Sequence, residues 1–451
     1  MFKRNIEDLL LKWKNEKGRK PLVLRGARQT GKTTVVEKFS KEFKVFIELN
    51  LEKESVRRIF DGTPDIQSVI QSIESLTDQR IIPGETLLFL DEIQNSGSAI
   101  KMLRYFYEEL SALHVISAGS LLEVRMKSEG WSFPVGRVEF LYLYPVTFEE
   151  FLSALNKQIL LENLKAIKLS NKLPQPIHEQ LLDLLALYMI VGGMPGAVNN
   201  YILNGSLISV KKYQNDLISS FREDFVKYSK ASEVDSLKIV WDGTPFNIGK
   251  RIKYSKFTGQ ENRSKNISTA FDVLHDAMLV ERIFPSITLN PPLARKSKFA
   301  PKSLFLDIGL CANVLNLTKD QIKKGLLDDV FNGGLFEQFA GQELLALNSF
   351  NRISLYFWIR EEKGSSSELD FLLQAGDKLL PIEVKSGRQG SLKSLHQFLH
   401  RSNSNFGIRM YNGQLSVDQN EILLPSSDLL KYELLSIPFY LIFRLFDFTK
   451  R

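Results

Sequence analysis

Along the first third of the chain, short apolar runs alternate with stretches of helical period. Pro21–Gly26 is one such run, ending in glycine, and Val45–Asn50, Leu87–Asp91, His114–Ala118 and Val138–Tyr144 repeat it. A helical pattern over Gly31–Glu42 follows the first run, and helix-length segments separate the others. Strands separated by helices predict βαβ units and a parallel sheet. Ahead of them, Phe2, Ile6, Leu9, Leu10 and Trp13 fall on one face of an amphipathic helix. Charges interrupt the apolar run that a signal peptide needs there. Thr147-Phe-Glu-Glu150 has the spacing of a capping box, in which hydroxyl and carboxylate satisfy the free amides of a helix start.

From about 148 to 230 the period is helical, broken at Pro174 and Pro176 and by a turn at Gly192-Gly193-Met194-Pro195-Gly196. Short helices then lead to a hairpin, Leu279–Phe284 with Ser303–Leu306, joined by a loop around Pro291-Pro292. A helix at 335–347 precedes strands at Ile353–Ile359, Leu369–Leu373 and Leu379–Val384, a helix near 391–401 and a strand at Phe406–Met410. At about 150 residues per domain, 451 residues suggest roughly three domains. The pattern sets the expected limits at 1–155 for an α/β core, 156–232 for a helical lid, 233–325 for a middle region and 326–451 for a C-terminal α/β domain.

Composition narrows the chemistry. Cys311 is the single cysteine, and it excludes an internal disulfide and a cysteine-based zinc site. A reducing, cytoplasmic setting is the expectation. The late apolar stretch Leu434–Phe446 is broken by Pro438 and Arg444 and falls short of the ~20 residues a bilayer requires, so no membrane association is expected.

Gly26-Ala27-Arg28-Gln29-Thr30-Gly31-Lys32-Thr33, with Thr34 beyond it, has the GxxxxGK[ST] spacing of a phosphate-binding loop between a strand and a helix. Its glycines let the backbone amides turn inward, Lys32 reaches the β- and γ-phosphates of ATP, and the Thr33 hydroxyl ligates Mg²⁺. Leu87–Asp91 is an apolar strand ending in carboxylates. Asp91 joins Thr33 at the Mg²⁺, and Glu92 polarises the attacking water. Ser120, at the tip of the next strand, is a candidate to sense the γ-phosphate, against the plainer role of a helix cap. Arg137 is a candidate to stabilise transition-state charge, against that of a structural ion pair.

These residues resemble a large family of bacterial and archaeal ATPases that join an AAA-type P-loop domain to an uncharacterised C-terminal domain. The likeness rests on GARQTGKT (26–33), LLFLDEIQ (87–94), SAGSLL (117–122), GR (136–137) and YPVTFEEFL (144–152). It continues through GGMPGAV (192–198), LFLDIGL (304–310), GLFEQFAGQEL (334–344) and ELDFLL with PIEVKSG (368–387). The resemblance implies an ATP-binding ATPase core, a helical lid and a winged-helix-like segment. No clear second sensor arginine is identified in the lid.

The net charge is +7, and the segment from Phe246 to Lys302 carries 11 basic residues against four acidic ones. A recognition-type helix at Asn266–His275 followed by a basic wing would suit duplex DNA; docking of a protein partner and a plain linker are the other readings. In the C-terminal domain, Glu337 on a helix, Asp370 on a strand and Glu383-Val-Lys385 on the next strand resemble the PD-(D/E)xK nuclease arrangement. There Asp370 and Glu383 would hold Mg²⁺, Lys385 would activate water and Glu337 would complete the shell.

The expectation is therefore an ATP-binding, Mg²⁺-dependent ATPase whose hydrolysis drives a switch in DNA-associated downstream domains. The alternatives are a nucleotide-gated nuclease and a slow signalling switch acting on a protein partner. A homo-oligomer is compatible with either.

Overall fold

The computed structural model describes residues 2–62, 65–257, 264–286, 288–296, 298–324, 329–362, 365–387, 391–425 and 427–450. Of the basic segment, Glu261 and Arg263 lie outside them.

The N-terminal strands are β1 (Leu22–Arg25), β2 (Val45–Asn50), β3 (Thr86–Asp91), β4 (His114–Ala118) and β5 (Glu139–Tyr142). They form a five-stranded sheet in the order β2-β3-β4-β1-β5, with every pairing parallel. A parallel sheet is covered on both faces, so its strands are apolar on both. β3 shows this best, with all of Thr86–Asp91 buried. Leu88 and Leu90 face one core with Ile47, Val115 and Phe106, while Leu87 and Phe89 face the other with Val35, Val36 and Ile116. The amphipathic helix Ile6–Asn15 seals that second core through buried Ile6, Leu10 and Trp13, each stabilising by roughly 2 kcal/mol when fully buried.

The expected capping box is present at helix Phe148–Ala154: the Thr147 hydroxyl accepts from the Glu150 amide and the Glu150 carboxylate from the Thr147 amide. Helices Gln158–Ala166, Gln175–Val191, Pro195–Asn204 and Leu207–Asp224 follow. The break expected at Pro174 and Pro176 is the start of helix Gln175–Val191: Pro174 is its N-cap and Pro176 sits in its first turn, where no amide partner is lost.

The remaining strands are β6 (Val280–Pro285), β7 (Lys302–Phe305), β8 (Tyr356–Glu362), β9 (Ser365–Ala375), β10 (Lys378–Lys385), β11 (Phe406–Tyr411), β12 (Ser416–Leu423) and β13 (Leu429–Pro438). They make an eight-stranded mixed sheet, ordered β12-β13-β11-β10-β9-β8-β6-β7. The expected hairpin is there as β6 and β7. It is not a separate wing, however, because Phe284 and Pro285 of β6 pair with Tyr356 and Phe357 of β8. One sheet therefore crosses the limit expected at 325. Leu434–Phe446 splits at Pro438 into the end of β13 and a tight helix, Phe439–Arg444. Among the described residues no single helix is long and apolar enough to cross a membrane.

Candidate nucleotide site

The loop that leaves β1 is held by its glycines. A Cβ on Gly26 would stand 2.5 Å from the Leu143 carbonyl oxygen, and Gly31 has φ +91°, a conformation other residues adopt at a cost. Lys32 opens helix Lys32–Phe39, and its buried Nζ donates to the Gly26 and Ala27 carbonyls at 2.9 Å each. Burial lowers the Lys32 pKa to about 8, against the opposing pull of Glu92 and Asp91. Thr33 Oγ1 donates to Asp91 Oδ2 at 2.9 Å, bringing together the two side chains expected at Mg²⁺. Burial pushes the Asp91 carboxyl up, and the Thr33 hydroxyl opposes the shift.

Glu92 follows with a positive φ of 54°, which turns it off the strand. Its Oε2 accepts from Gln94 Nε2. Gln94 is 5% exposed, and its Oε1 packs where a side chain on Gly119 would begin. Ser120 lies on this same sheet edge, just beyond β4; the following helix Leu122–Glu129 has Leu121 as its N-cap, so Ser120 is not that cap.

Arg137 is not part of the site. β5 runs parallel to β1 with Glu139 opposite Leu22, so a residue preceding β5 stands at the sheet edge away from the phosphate loop. Its Nε pairs with Glu108 Oε1 at 3.0 Å. The structural role is the one realised within the chain.

Sequence reading missed the groups that frame the loop. Arg4 donates to the Thr30 carbonyl at 3.2 Å and to the Tyr144 carbonyl at 2.7 Å, and its Nε pairs with Glu150 Oε2 at 3.0 Å. Arg28 pairs with Asp224 at the end of helix Leu207–Asp224. A cavity of about 240 Å³ opens beside the loop, lined by Phe2, Arg4, Gly31, Thr34, Pro195 and Asn199 among others. Pro195 comes from the Gly192–Gly196 turn and faces Gly31 across this cavity: a Cβ on Gly31 would meet Pro195 Cγ at 3.6 Å. Isolated polar residues far apart in sequence carry no local period, so nothing in the pattern signalled them.

Behind that turn lies a buried polar junction. Val146 N donates to Gly193 O and Gly193 N to Asp307 Oδ2, both at 2.6 Å. Phe148 N donates to Glu343 Oε1 at 3.1 Å, Ile308 N to Gln342 Oε1 at 2.8 Å, and Gln342 Nε2 to the Tyr188 hydroxyl at 3.0 Å. Burial raises the Asp307 carboxyl to about 6 and that of Glu343 to about 8. Buried amides and carbonyls need partners; here core, lid, middle region and C-terminal helix Asp329–Ala346 provide them for one another.

The C-terminal residues also converge. Val384 N donates to Asp370 Oδ2 at 2.8 Å, and Lys385 Nζ lies 2.6 Å from Glu383 Oε1. Glu337 pairs instead with Lys302 at 2.7 Å. The basic surface expected between Phe246 and Lys302 is thereby reduced. Lys302 is buried, Arg282 pairs with Asp272, Arg251 reaches Glu368 at 3.3 Å, and the Arg295 guanidinium lies 3.3 Å over the Phe284 ring. Lys250, Lys253, Lys256, Lys265 and Lys298 stay exposed.

Residues 18–152 match a family model described as an AAA domain. The parallel core with its phosphate loop is similar to AAA-type P-loop domains. Residues 182–321 match a domain of unknown function (DUF8612) and residues 332–429 another (DUF4143). No curated protein matches the sequence. Among solved structures, the Walker-type ATPase PABY2304 of Pyrococcus abyssi is similar at 16% identity and a TM-score of 0.43, over 70% of this chain and 96% of its own. The Aeropyrum pernix ORC1 protein in complex with DNA is similar at 16% identity and a TM-score of 0.29, over 72% and 93%. The ORC2 protein of the same organism, in its ADP form, has 13% identity and a TM-score of 0.28, over 73% and 93%.

Proposed function

We propose that the chain is a Mg²⁺-dependent ATPase, converting ATP and water to ADP and phosphate, whose nucleotide state is passed to the middle and C-terminal regions. The observation that carries this reading is the buried Lys32 ammonium at the mouth of an inward-turned loop, next to the Thr33–Asp91 pair. That donor set suits a polyphosphate with its cation. Lys32 and the loop amides bind the phosphates, Thr33 and Asp91 would hold Mg²⁺, and Glu92, positioned by Gln94, takes the place of the water-orienting group. Mg²⁺, when bound, would neutralise charge developing on the β- and γ-phosphate oxygens. The cavity beside Thr34 and Pro195 fits the nucleoside end. Because Pro195 also belongs to the turn that meets Asp307, nucleotide contact has a short route to the downstream regions.

In the middle region, helix Ser264–Asp276 precedes the β6–β7 hairpin as a recognition helix precedes a wing, although β6 also pairs with β8, and the exposed lysines favour duplex DNA as the partner. The C-terminal order of helix, β8, β9, β10, helix Lys393–Ser402 and β11 supports a nuclease-like fold. Steady-state phosphate release with and without duplex DNA, at low and high salt, tests the coupling, with Lys32→Ala as the blank. DNA stimulation that declines with salt, as phosphate contacts require, is the expected result. Turnover indifferent to DNA at both salts would remove DNA and favour a protein-directed switch.

A further inference from the structure

A second group of carboxylates gathers at the junction of the middle and C-terminal regions, away from the phosphate loop. Glu337 stands on helix Asp329–Ala346, Glu368 and Asp370 on β9, and Glu383 on β10. Glu337 is 6% exposed and Glu383 4%. Glu368 and Asp370 are more open, with side-chain exposures of 32% and 19%, and carboxylates gathered in this way repel one another unless a cation lies among them. Glu383 Oε2 is buried with no hydrogen-bond partner.

The cation present is a side chain. Lys302, the first residue of β7, places Nζ at 2.7 Å from Glu337 Oε1, 2.6 Å from Glu368 Oε1 and 3.6 Å from Asp370 Oδ1. Its side chain is 2% exposed. The ammonium donates to Glu337, lies in contact with Glu368 and is close enough to Asp370 for an ion pair. A second cation from the same region, Arg251, is bridged to Lys302 through the backbone and reaches Glu368 Oε2 at 3.3 Å. Among the described residues, no three His, Cys, Asp or Glu side chains are arranged to hold a metal ion.

We infer that Lys302 is a built-in cation that plugs the divalent-metal position of this carboxylate site. The native chain then takes no Mg²⁺ or Mn²⁺ there, and removing the ammonium opens the site to them. The middle region thereby blocks the C-terminal site within one chain, whether or not the phosphate loop turns over ATP. Glu383 Oε2 is the acceptor the ammonium leaves unserved and a divalent ion would use, because such ions take several oxygen ligands at about 2.0–2.6 Å.

The test is a Mn²⁺ titration of the full chain without nucleotide, read by the paramagnetic resonance of free Mn²⁺. An Asp91→Asn background silences the phosphate-loop metal position. The parent is expected to bind no Mn²⁺. Adding Lys302→Met, which keeps an unbranched chain beside Phe357, is expected to create one site per chain, lost again with Glu383→Gln. A folded Lys302→Met chain that binds no Mn²⁺ would overturn the inference. So would a parent that already binds one Mn²⁺ and loses it with Asp370→Asn. Should Lys302→Met fail to fold, the parent decides: an Asp370-dependent site refutes the plug, and its absence, with thermal melting unmoved by Mn²⁺, upholds it.

Discussion

Lys32 sits between two costs. A charged amine inside protein loses its hydration, yet the loop needs that charge when phosphates arrive. With its pKa lowered to about 8, bound phosphates would restore the ammonium. Above that pH, binding must therefore take up a proton. ATP affinity is expected to be level below about pH 8 and to fall above it, by up to about tenfold per pH unit, which calorimetric titration across that range checks. Gln94 makes a second prediction at this scale. It touches no phosphate position but holds Glu92 while packing against Gly119. Gln94→Ala should lower kcat, by up to about 10²-fold if Glu92 swings out of line, with KM little changed. An equal loss in KM would assign it to binding. The phosphate loop, Asp91 and Glu92 were legible in the sequence because strand, glycine spacing and carboxylates lie in contiguous motifs. Gln94 was within a motif but had no visible task until Gly119 was seen beside it, and Lys302 read as surface charge because nothing local marks the carboxylates that surround it.

Helices in this chain are joined end to end by buried acids, and their stability depends on pH accordingly. Glu343 accepts from the first amide of helix Phe148–Ala154, where a carboxylate is favoured by the helix end. Burial nevertheless raises it from 4.5 to about 8. In the folded state it retains a proton that the unfolded chain has released. Its contribution is therefore full below pH 4.5 and is lost as pH rises to about 8. Glu343→Gln, neutral throughout, should melt higher relative to the native chain at pH 8 than at pH 4.5 in thermal unfolding. Thr147→Ala removes the other half of that helix start and should cost about 1 kcal/mol, read as a lowered denaturation midpoint. The capping box was readable because its spacing is local. The hairpin β6–β7 was readable too, but not its merger with β8, since pairing between residues as distant in sequence as Phe284 and Tyr356 leaves no mark in either strand.

At the scale of the molecule, the Gly192–Gly196 turn is where nucleotide site and downstream regions meet. A Cβ on Gly193 would stand 2.3 Å from the Val146 carbonyl oxygen. Backbone does not yield as a flexible side chain does, so Gly193→Ala should cost about 1–3 kcal/mol and separate ATP binding from any DNA response. The alternation of strands and helices in the N-terminal core was visible in the periodicities, whereas the single sheet that joins β6 and β7 to β8–β13 was not. Hydrolysis at the phosphate loop is tested by ATP binding and phosphate release measured together for the native chain, Lys32→Ala and Glu92→Gln with Mg²⁺. The native chain is expected to bind and hydrolyse ATP, Glu92→Gln to bind it but release phosphate at least about 10²-fold more slowly, and Lys32→Ala to do neither. Phosphate release by Glu92→Gln at the native rate, or a native chain that binds no ATP, would contradict hydrolysis at this loop.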